Sequence, residues 1–236
     1  MGLPKVSYPI FSINVPSLGK EIKFRSFLVK DEKVLLVAQN SKETKDIVLA
    51  IKQVINNCAI DDINVDELAT FDLEYLFIKL RSKSVNNIIE LKYVDPEDGE
   101  QYDISVDTDK IDVINLGLDE YKKVQISNTM GMVLKYPNAS IVGHISPSDN
   151  ETDMFFSILK HCIAYIYDKD KTYNPGEYTV EEIEEFIADL DVKTLQKVQK
   201  FFESMPRIHY STEYKTKSGK TKKLELNTLN DFFMLG

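Results

Sequence analysis

Ile88-Ile89-Glu90-Leu91-Lys92-Tyr93-Val94-Asp95-Pro96-Glu97-Asp98-Gly99-Glu100-Gln101-Tyr102-Asp103-Ile104-Ser105-Val106 reads as two extended segments folded about one turn. Ile88 to Val94 carries β-branched and aromatic side chains, and beyond the turn Tyr102, Ile104 and Val106 alternate with polar residues, the period of a strand with one buried face. Between them Pro96 fixes its own φ and Gly99 tolerates the positive φ of a tight turn, so the strands pair antiparallel as a hairpin. Just upstream, Leu73, Leu76, Phe77 and Leu80 recur at three and four residues and run towards Arg81 and Lys83, cations suited to a helix C-terminus. A helix that leads into a hairpin, with no crossover to a parallel strand, predicts the α+β class.

Towards the N-terminus, Ile10 to Val15 and Glu21 to Phe27 flank the turn signal Pro16-Ser17-Leu18-Gly19-Lys20, a second hairpin. From Lys30 onward, Val34, Leu35, Val37 and Ala38, then Ile47, Val48, Ile51, Val54 and Ile55, predict two amphipathic helices, the second starting near Ser41, Thr44 and Asp46. Asp66 and Thr70 are the candidate caps of the third helix. On the other side, Lys122 to Ser127 reads as a strand, while Met130 to Tyr136 suits a strand or a buried helix and leaves the fold of residues 107–145 open.

The polar, breaker-rich residues 146–152 are the expected linker between an N-terminal α+β domain, 1–145, and a mainly helical domain, 153–236. In the latter, Met154, Phe155, Ile158, Leu159, Ile163 and Ile166 form one helical stripe that ends before Asp168. Thr179-Val180-Glu181-Glu182 is a capping box, in which hydroxyl and carboxylate satisfy orphan backbone donors, and it opens a helix with Ile183, Phe186, Ile187 and Leu190. Leu195, Val198, Phe201 and Phe202 extend the pattern to Pro206; a hairpin, Ile208 to Lys215 and Lys222 to Leu226, and a short helix, Leu229 to Leu235, follow.

With 236 residues, 43% hydrophobic and 28% charged, the chain can bury a core, and a net charge of −9 argues against nucleic acid as its partner. Cys58 and Cys162 are far apart with no CxxC pair, which suggests neither a disulfide framework nor a cysteine zinc site and fits a reducing compartment. No apolar run approaches the roughly 18 residues that span a bilayer. The opening Met1-Gly2-Leu3-Pro4-Lys5 also lacks the apolar core of a signal peptide, so no membrane association is expected.

Chemistry-bearing motifs are weak. Gly219-Lys220-Thr221 matches the end of a phosphate-binding loop, but the first glycine position is Tyr214 and the segment lies between two strands, as a hairpin turn does. Asp168, Asp170 and Thr172 have the spacing of the first calcium-loop ligands, yet Tyr173 replaces the turn glycine and Thr179 the bidentate glutamate. His161 and Cys162 are helix neighbours about 100° apart, which prevents a shared ion, and His144 and His209 stand alone. The Glu181-Glu182 and Glu184-Glu185 pairs lie in the first turns of a helix, where carboxylates suit the macrodipole. No catalytic residue, metal or cofactor is expected; the alternative is a small metal- or nucleotide-dependent hydrolase with a non-contiguous site such as His161, Asp168 and His209.

Three stretches carry a resemblance: Phe24-Arg25-Ser26-Phe27-Leu28-Val29-Lys30-Asp31-Glu32-Lys33, Ile51-Lys52-Gln53-Val54-Ile55-Asn56-Asn57-Cys58, and Phe71-Asp72-Leu73-Glu74-Tyr75-Leu76-Phe77 with Lys79-Leu80-Arg81-Ser82-Lys83-Ser84-Val85. With Leu3-Pro4 they resemble the N-terminal half of the baseplate hub assembly family of T4-type phages, and Phe201-Phe202-Glu203-Ser204-Met205-Pro206 and Leu229-Asn230-Asp231-Phe232-Phe233 extend the likeness. Ser26 stands where the family pattern has proline. The resemblance implies a non-enzymatic protein that binds other tail or baseplate hub proteins during morphogenesis, in the host cytoplasm, with its presence in the finished virion left open.

Two segments are the expected partner contacts. In the first, Lys30, Asp31 and Lys33 lie on the polar side of a helix whose Val34, Leu35 and Val37 face inward, the plain alternative being a packed hairpin-to-helix junction. In the second, Leu229, Phe232, Phe233 and Leu235 form an apolar stretch too short to stand as a helix in water, so the chain's own hairpin or a partner buries it.

Overall fold

The computed structural model describes residues 7–41, 44–144, 150–229 and 231. Strands Ile10–Val15 (β1) and Lys20–Arg25 (β2) pair antiparallel with Ile13 opposite Ile22, and both side chains are buried along with Val15 and Phe24. Helices Val29–Ser41 (α1), Thr44–Cys58 (α2) and Thr70–Ser84 (α3) follow, and α2 packs on both others. The expected caps differ: Ala69 occupies the N-cap of α3 without a side-chain bond, while Asn64 caps a short 3-10 turn, Val65–Glu67, that contains Asp66. The apolar stripe on α3 is also wider than predicted, because Phe71 and Ile78 are buried beside Leu73, Leu76, Phe77 and Leu80. A helix that buries apolar residues on more than one face packs protein on more than one side.

Strands Ile88–Val94 (β3) and Gln101–Asp107 (β4) form the expected hairpin, with Val94 opposite Gln101 and Gly99 at φ +71. After it comes a three-residue strand, Asp112–Ile114 (β5).

The next stretch builds a separate unit, Asn115–Met205. Lys123–Gln125 (β6), Gly131–Leu134 (β7), Ile163–Tyr167 (β8) and Thr172–Tyr173 (β9) form one antiparallel sheet in that order. Against it lie Glu151–Cys162 (α4), Val180–Ala188 (α5) and Val192–Glu203 (α6), and Val124, Met132, Leu134, Leu159, Ile163, Ile166, Ile187, Val198 and Phe201 share the core. The helix expected to run through Ile166 stops at Cys162. Ile163-Ala164-Tyr165-Ile166-Tyr167 is β-branched and aromatic, and pairing with β7 gives its backbone a ladder that helical continuation would forfeit. Three- and four-residue spacing alone did not reveal the change.

Arg207–Lys215 (β10) and Thr221–Leu226 (β11) form the last hairpin, in which the glycine of Gly219-Lys220-Thr221 supplies a φ of +82. β10 also pairs with β5, Ile208 opposite Val113, which gives the sheet order β11-β10-β5. The compact units are therefore Met1–Ile114 with Pro206–Gly236, and Asn115–Met205, in place of the expected 1–145 and 153–236. Pairing of β7 with β8 keeps both sides of the expected linker in one unit, and pairing of β5 with β10 returns the terminal hairpin to the other. The second unit is thus a sheet with helices, not a mainly helical domain with a terminal hairpin. Of the expected linker, 146–149 lie outside the described residues; of the expected terminal helix, Leu229 and Asp231 are helical, while Asn230 and 232–236 lie outside them.

Candidate interaction surface

The segment from β2 to α1 is organised by a buried ion pair. Arg25, 6% exposed, points its Nη1 at Asp31 Oδ2 (2.6 Å) and at the Ser26 carbonyl (2.9 Å), and Asp31 is fully buried. Asp31 Oδ2 also accepts the Leu28 amide (2.9 Å), and Oδ1 accepts Arg25 Nη2 (3.3 Å) and Asn57 Nδ2 (3.4 Å). Burial alone raises the Asp31 carboxyl, but Arg25, the Leu28 amide and Asn57 together hold it below the usual carboxylate range. One carboxylate thus ties β2, α1 and α2 together and fixes the rotation of α1 about its axis.

That rotation corrects the expected facing of α1. Asp31, read as a surface residue, is inside with Ala38, whereas Val37, read as core, is 63% exposed. Val34 and Leu35 are half-buried. Opposite the ion pair, Val29 (89% exposed), Leu36 (53%) and Val37 share a face with exposed Lys30 and Lys33. The result is an apolar stripe flanked by two ammonium groups, a surface suited to a protein partner more than to water.

At the other expected contact, Leu229 is half-buried and its amide donates to Glu74 Oε1 on α3 (3.4 Å). Burial pushes the Glu74 carboxyl up to about 7, with the nearby Asp231 charge adding to the effect and the Leu229 amide opposing it. Phe232, Phe233 and Leu235 lie outside the described residues.

The residues of the hydrolase alternative each have a local structural partner. His161 Nδ1 meets the Ser157 carbonyl (2.8 Å), Asp168 Oδ1 accepts the amides of Asp170 and Lys171 (2.7 and 2.9 Å), and His209 Nδ1 meets Asn227 Oδ1 (2.9 Å). His161 and Asp168 belong to the second unit and His209 to the first. Burial pushes the thiols up, Cys58 to about 11 and Cys162 to about 12, away from nucleophilic character. Among the described residues no group of three His, Cys, Asp or Glu side chains is placed to hold a metal ion, and no helix is long and apolar enough to cross a membrane. Glu182 serves its own helix, accepting the Thr179 amide (2.8 Å) in the predicted capping box.

One feature escaped the sequence pattern. A pocket of about 230 Å³ opens in the second unit between β8, β9 and α5, lined by Met130, Tyr167, Tyr173, Tyr178, Ile183 and Phe186, with Asp168 and Glu182 also in its lining. Gly131 lies against the Tyr167 side chain, where an added Cβ would come within 2.6 Å of Tyr167 Cζ, so the glycine makes room for that ring. Tyr167, Tyr173 and Tyr178 are the sequence signal for this lining, and bringing them together depends on the pairing of β8 with β9.

The family profile described as T4 bacteriophage base plate protein matches residues 8–234 of this chain. No curated protein matches it, and no solved structure does.

Proposed function

This chain belongs to the T4 bacteriophage base plate protein family, and from that premise we propose that it is a non-enzymatic hub assembly factor or hub component acting by protein–protein binding during tail morphogenesis. Membership gives it a structural or assembly role in a phage baseplate, with other baseplate or tail proteins as partners. The observation that carries the narrower reading is the exposed face of α1, Val29, Leu36 and Val37 beside Lys30 and Lys33, held in register by a buried ion pair. Apolar side chains gathered contiguously on an exposed face, rather than scattered singly, are a feature of interaction sites. The two lysines select an acidic partner surface, and the apolar stripe supplies the desolvated centre that carries most interface energy. Leu229 with Phe232, Phe233 and Leu235 is the second contact of this proposal. Assembly takes place in the host cytoplasm, before or as the protein joins the baseplate.

Co-expression of the intact chain with the baseplate and tail proteins encoded beside it, followed by affinity capture, tests the reading. A hub protein retained by the native chain and released by the double variant Lys30→Glu, Lys33→Glu, at unchanged melting temperature, supports it. Retention of no tail protein, or equal retention by the charge-reversed variant, removes α1 from the account.

A further inference from the structure

A long strand edge in the first unit is unpaired among the described residues: β3 pairs with β4 and with no other described strand. The Thr108 amide donates to the Asn87 carbonyl (2.8 Å) and the Asp95 amide to the Glu100 carbonyl (3.0 Å), one pair beyond each end of the hairpin ladder. Those two bonds fix its phase, so Ile89, Leu91 and Tyr93 turn their backbone groups towards β4, and Glu90, Lys92 and Val94 turn theirs outwards. Side chains alternate in step, with Leu91 buried and Ile88, Glu90, Lys92 and Val94 exposed. We propose that this edge pairs with the same edge of a second copy of the chain, antiparallel about a two-fold axis at Leu91, to make a four-stranded sheet in the order β4-β3-β3-β4.

In that register the edge is complementary to itself. Glu90 stands opposite Lys92 of the copy, Lys92 opposite its Glu90, and exposed Ile88 meets exposed Val94 at both ends. Shifting the register by two residues sets Glu90 against Glu90 or Lys92 against Lys92, so the side chains select the alignment. Both charges have capacity left for a partner. Lys92 lies across the hairpin from Asp103 and makes no ion pair among the described residues, and Glu90 accepts a single hydroxyl, Ser105 Oγ (2.7 Å to Oε1). A lysine in mid-strand ordinarily guards an edge, because an incoming strand meets an unmatched charge. Here a second copy brings the matching carboxylate by symmetry, whereas an unrelated strand has to reproduce the whole alternation. The outer edge of β2 offers no such opening, since the Ile60 amide donates to the Lys23 carbonyl (2.8 Å) and the Lys23 amide to Asp61 Oδ2 (2.9 Å). At one end of β3 the Ile88 amide is held by Asn86 Oδ1 (3.1 Å), which leaves the two Glu90–Lys92 pairs as the centre of the interface. The proposal does not involve α1.

Sedimentation velocity of the full chain between about 1 and about 300 µM tests it. Two seven-residue strands bury less than a standard interface of about 1,600 Å², so the expected result is a dimer that dissociates on dilution. Glu90→Lys and Lys92→Glu each bring like charges together twice and weaken dimerisation at least about tenfold, with melting temperatures within a few degrees of native. The double variant restores the pairing to within about fivefold of native. A general effect of net charge, −9 in the native chain, instead moves the two single variants in opposite directions. Amide exchange followed by NMR reads the register in the native chain: Glu90, Lys92 and Val94 slow as the dimer forms, while Leu91, already bonded to β4, does not. A chain that stays monomeric at about 300 µM overturns the proposal. So does a dimer that either single variant leaves intact or strengthens.

Discussion

Asp31 illustrates what a single side chain decides. Its position among Lys30, Glu32 and Lys33 reads as surface, because four consecutive charged residues are normally solvated; nothing in the sequence marks Arg25, six residues earlier, as its partner. Replacing Asp31 with Asn leaves a buried guanidinium unpaired and should destabilise the chain by about 3 kcal/mol, read from urea unfolding at neutral pH. Because the native carboxyl titrates below its unfolded value, the stability it contributes is complete at neutral pH and is lost as pH falls through its folded pKa. Glu74 and Asp72 work in the opposite direction. Burial raises both carboxyls, and Asp72 Oδ2 is buried without a hydrogen-bond partner among the described residues. Between the ordinary carboxylate pKa and about 7 the folded chain holds a proton on Glu74 that the unfolded chain has released, so this group's contribution falls as pH rises across that window. Glu74→Gln should therefore remove a decline on the order of 2 kcal/mol between pH 5 and pH 8. An unchanged slope would show that Glu74 is solvated.

Among elements, hairpins were the most legible, because turn residues and period-2 alternation are written locally: the registers of β1–β2, β3–β4 and β10–β11 follow directly from Gly19, Gly99 and Gly219 and the alternation beside them. The α4–β8 junction was not, since Leu159, Ile163 and Ile166 fit a helical stripe until a partner strand is available, and that partner is 29 residues earlier in the pairing of Leu134 with Ile163. The phase of α1 was misread for a related reason: apolar residues occupy both its faces, so the pattern cannot choose which one is buried, and the Arg25–Asp31 pair does. β7 carries a sharper prediction. A methyl at Gly131 meets Tyr167 Cζ at 2.6 Å and the Val124 carbonyl at 2.8 Å, so Gly131→Ala should cost about 2 kcal/mol and displace the Tyr167 ring. Thermal unfolding and the Tyr167 ring resonances read the two effects separately, and a fully native spectrum would contradict the close approach.

At the scale of the whole molecule, the α+β class was readable from helix and hairpin signals, but the division into units was not. A breaker-rich segment suggests a boundary, whereas real boundaries here are set by which strands pair, and the three-residue β5 gave no sequence signal. Within the second unit Asn115 Nδ2 donates to the Met205 carbonyl (3.4 Å), which brings its two ends together, and in the first Ile114 pairs with Arg207. Residues 115–205 are thus an insertion with adjacent ends. Replacing them with a short Gly-Ser turn should leave a first unit that unfolds in one cooperative transition, followed by circular dichroism; a collapsed, non-cooperative product would show that the unit needs its insertion. The proposed partner-binding role rests on family membership and on a helix face of which the sequence pattern marks only Lys30 and Lys33 as exposed. Hydrogen–deuterium exchange of the native chain, free and bound to a captured hub protein, tests it most directly. The account predicts that amides of residues 29–41 slow on binding by at least about tenfold while those of α6 exchange as before. A stable complex in which residues 29–41 exchange at the free rate would contradict it.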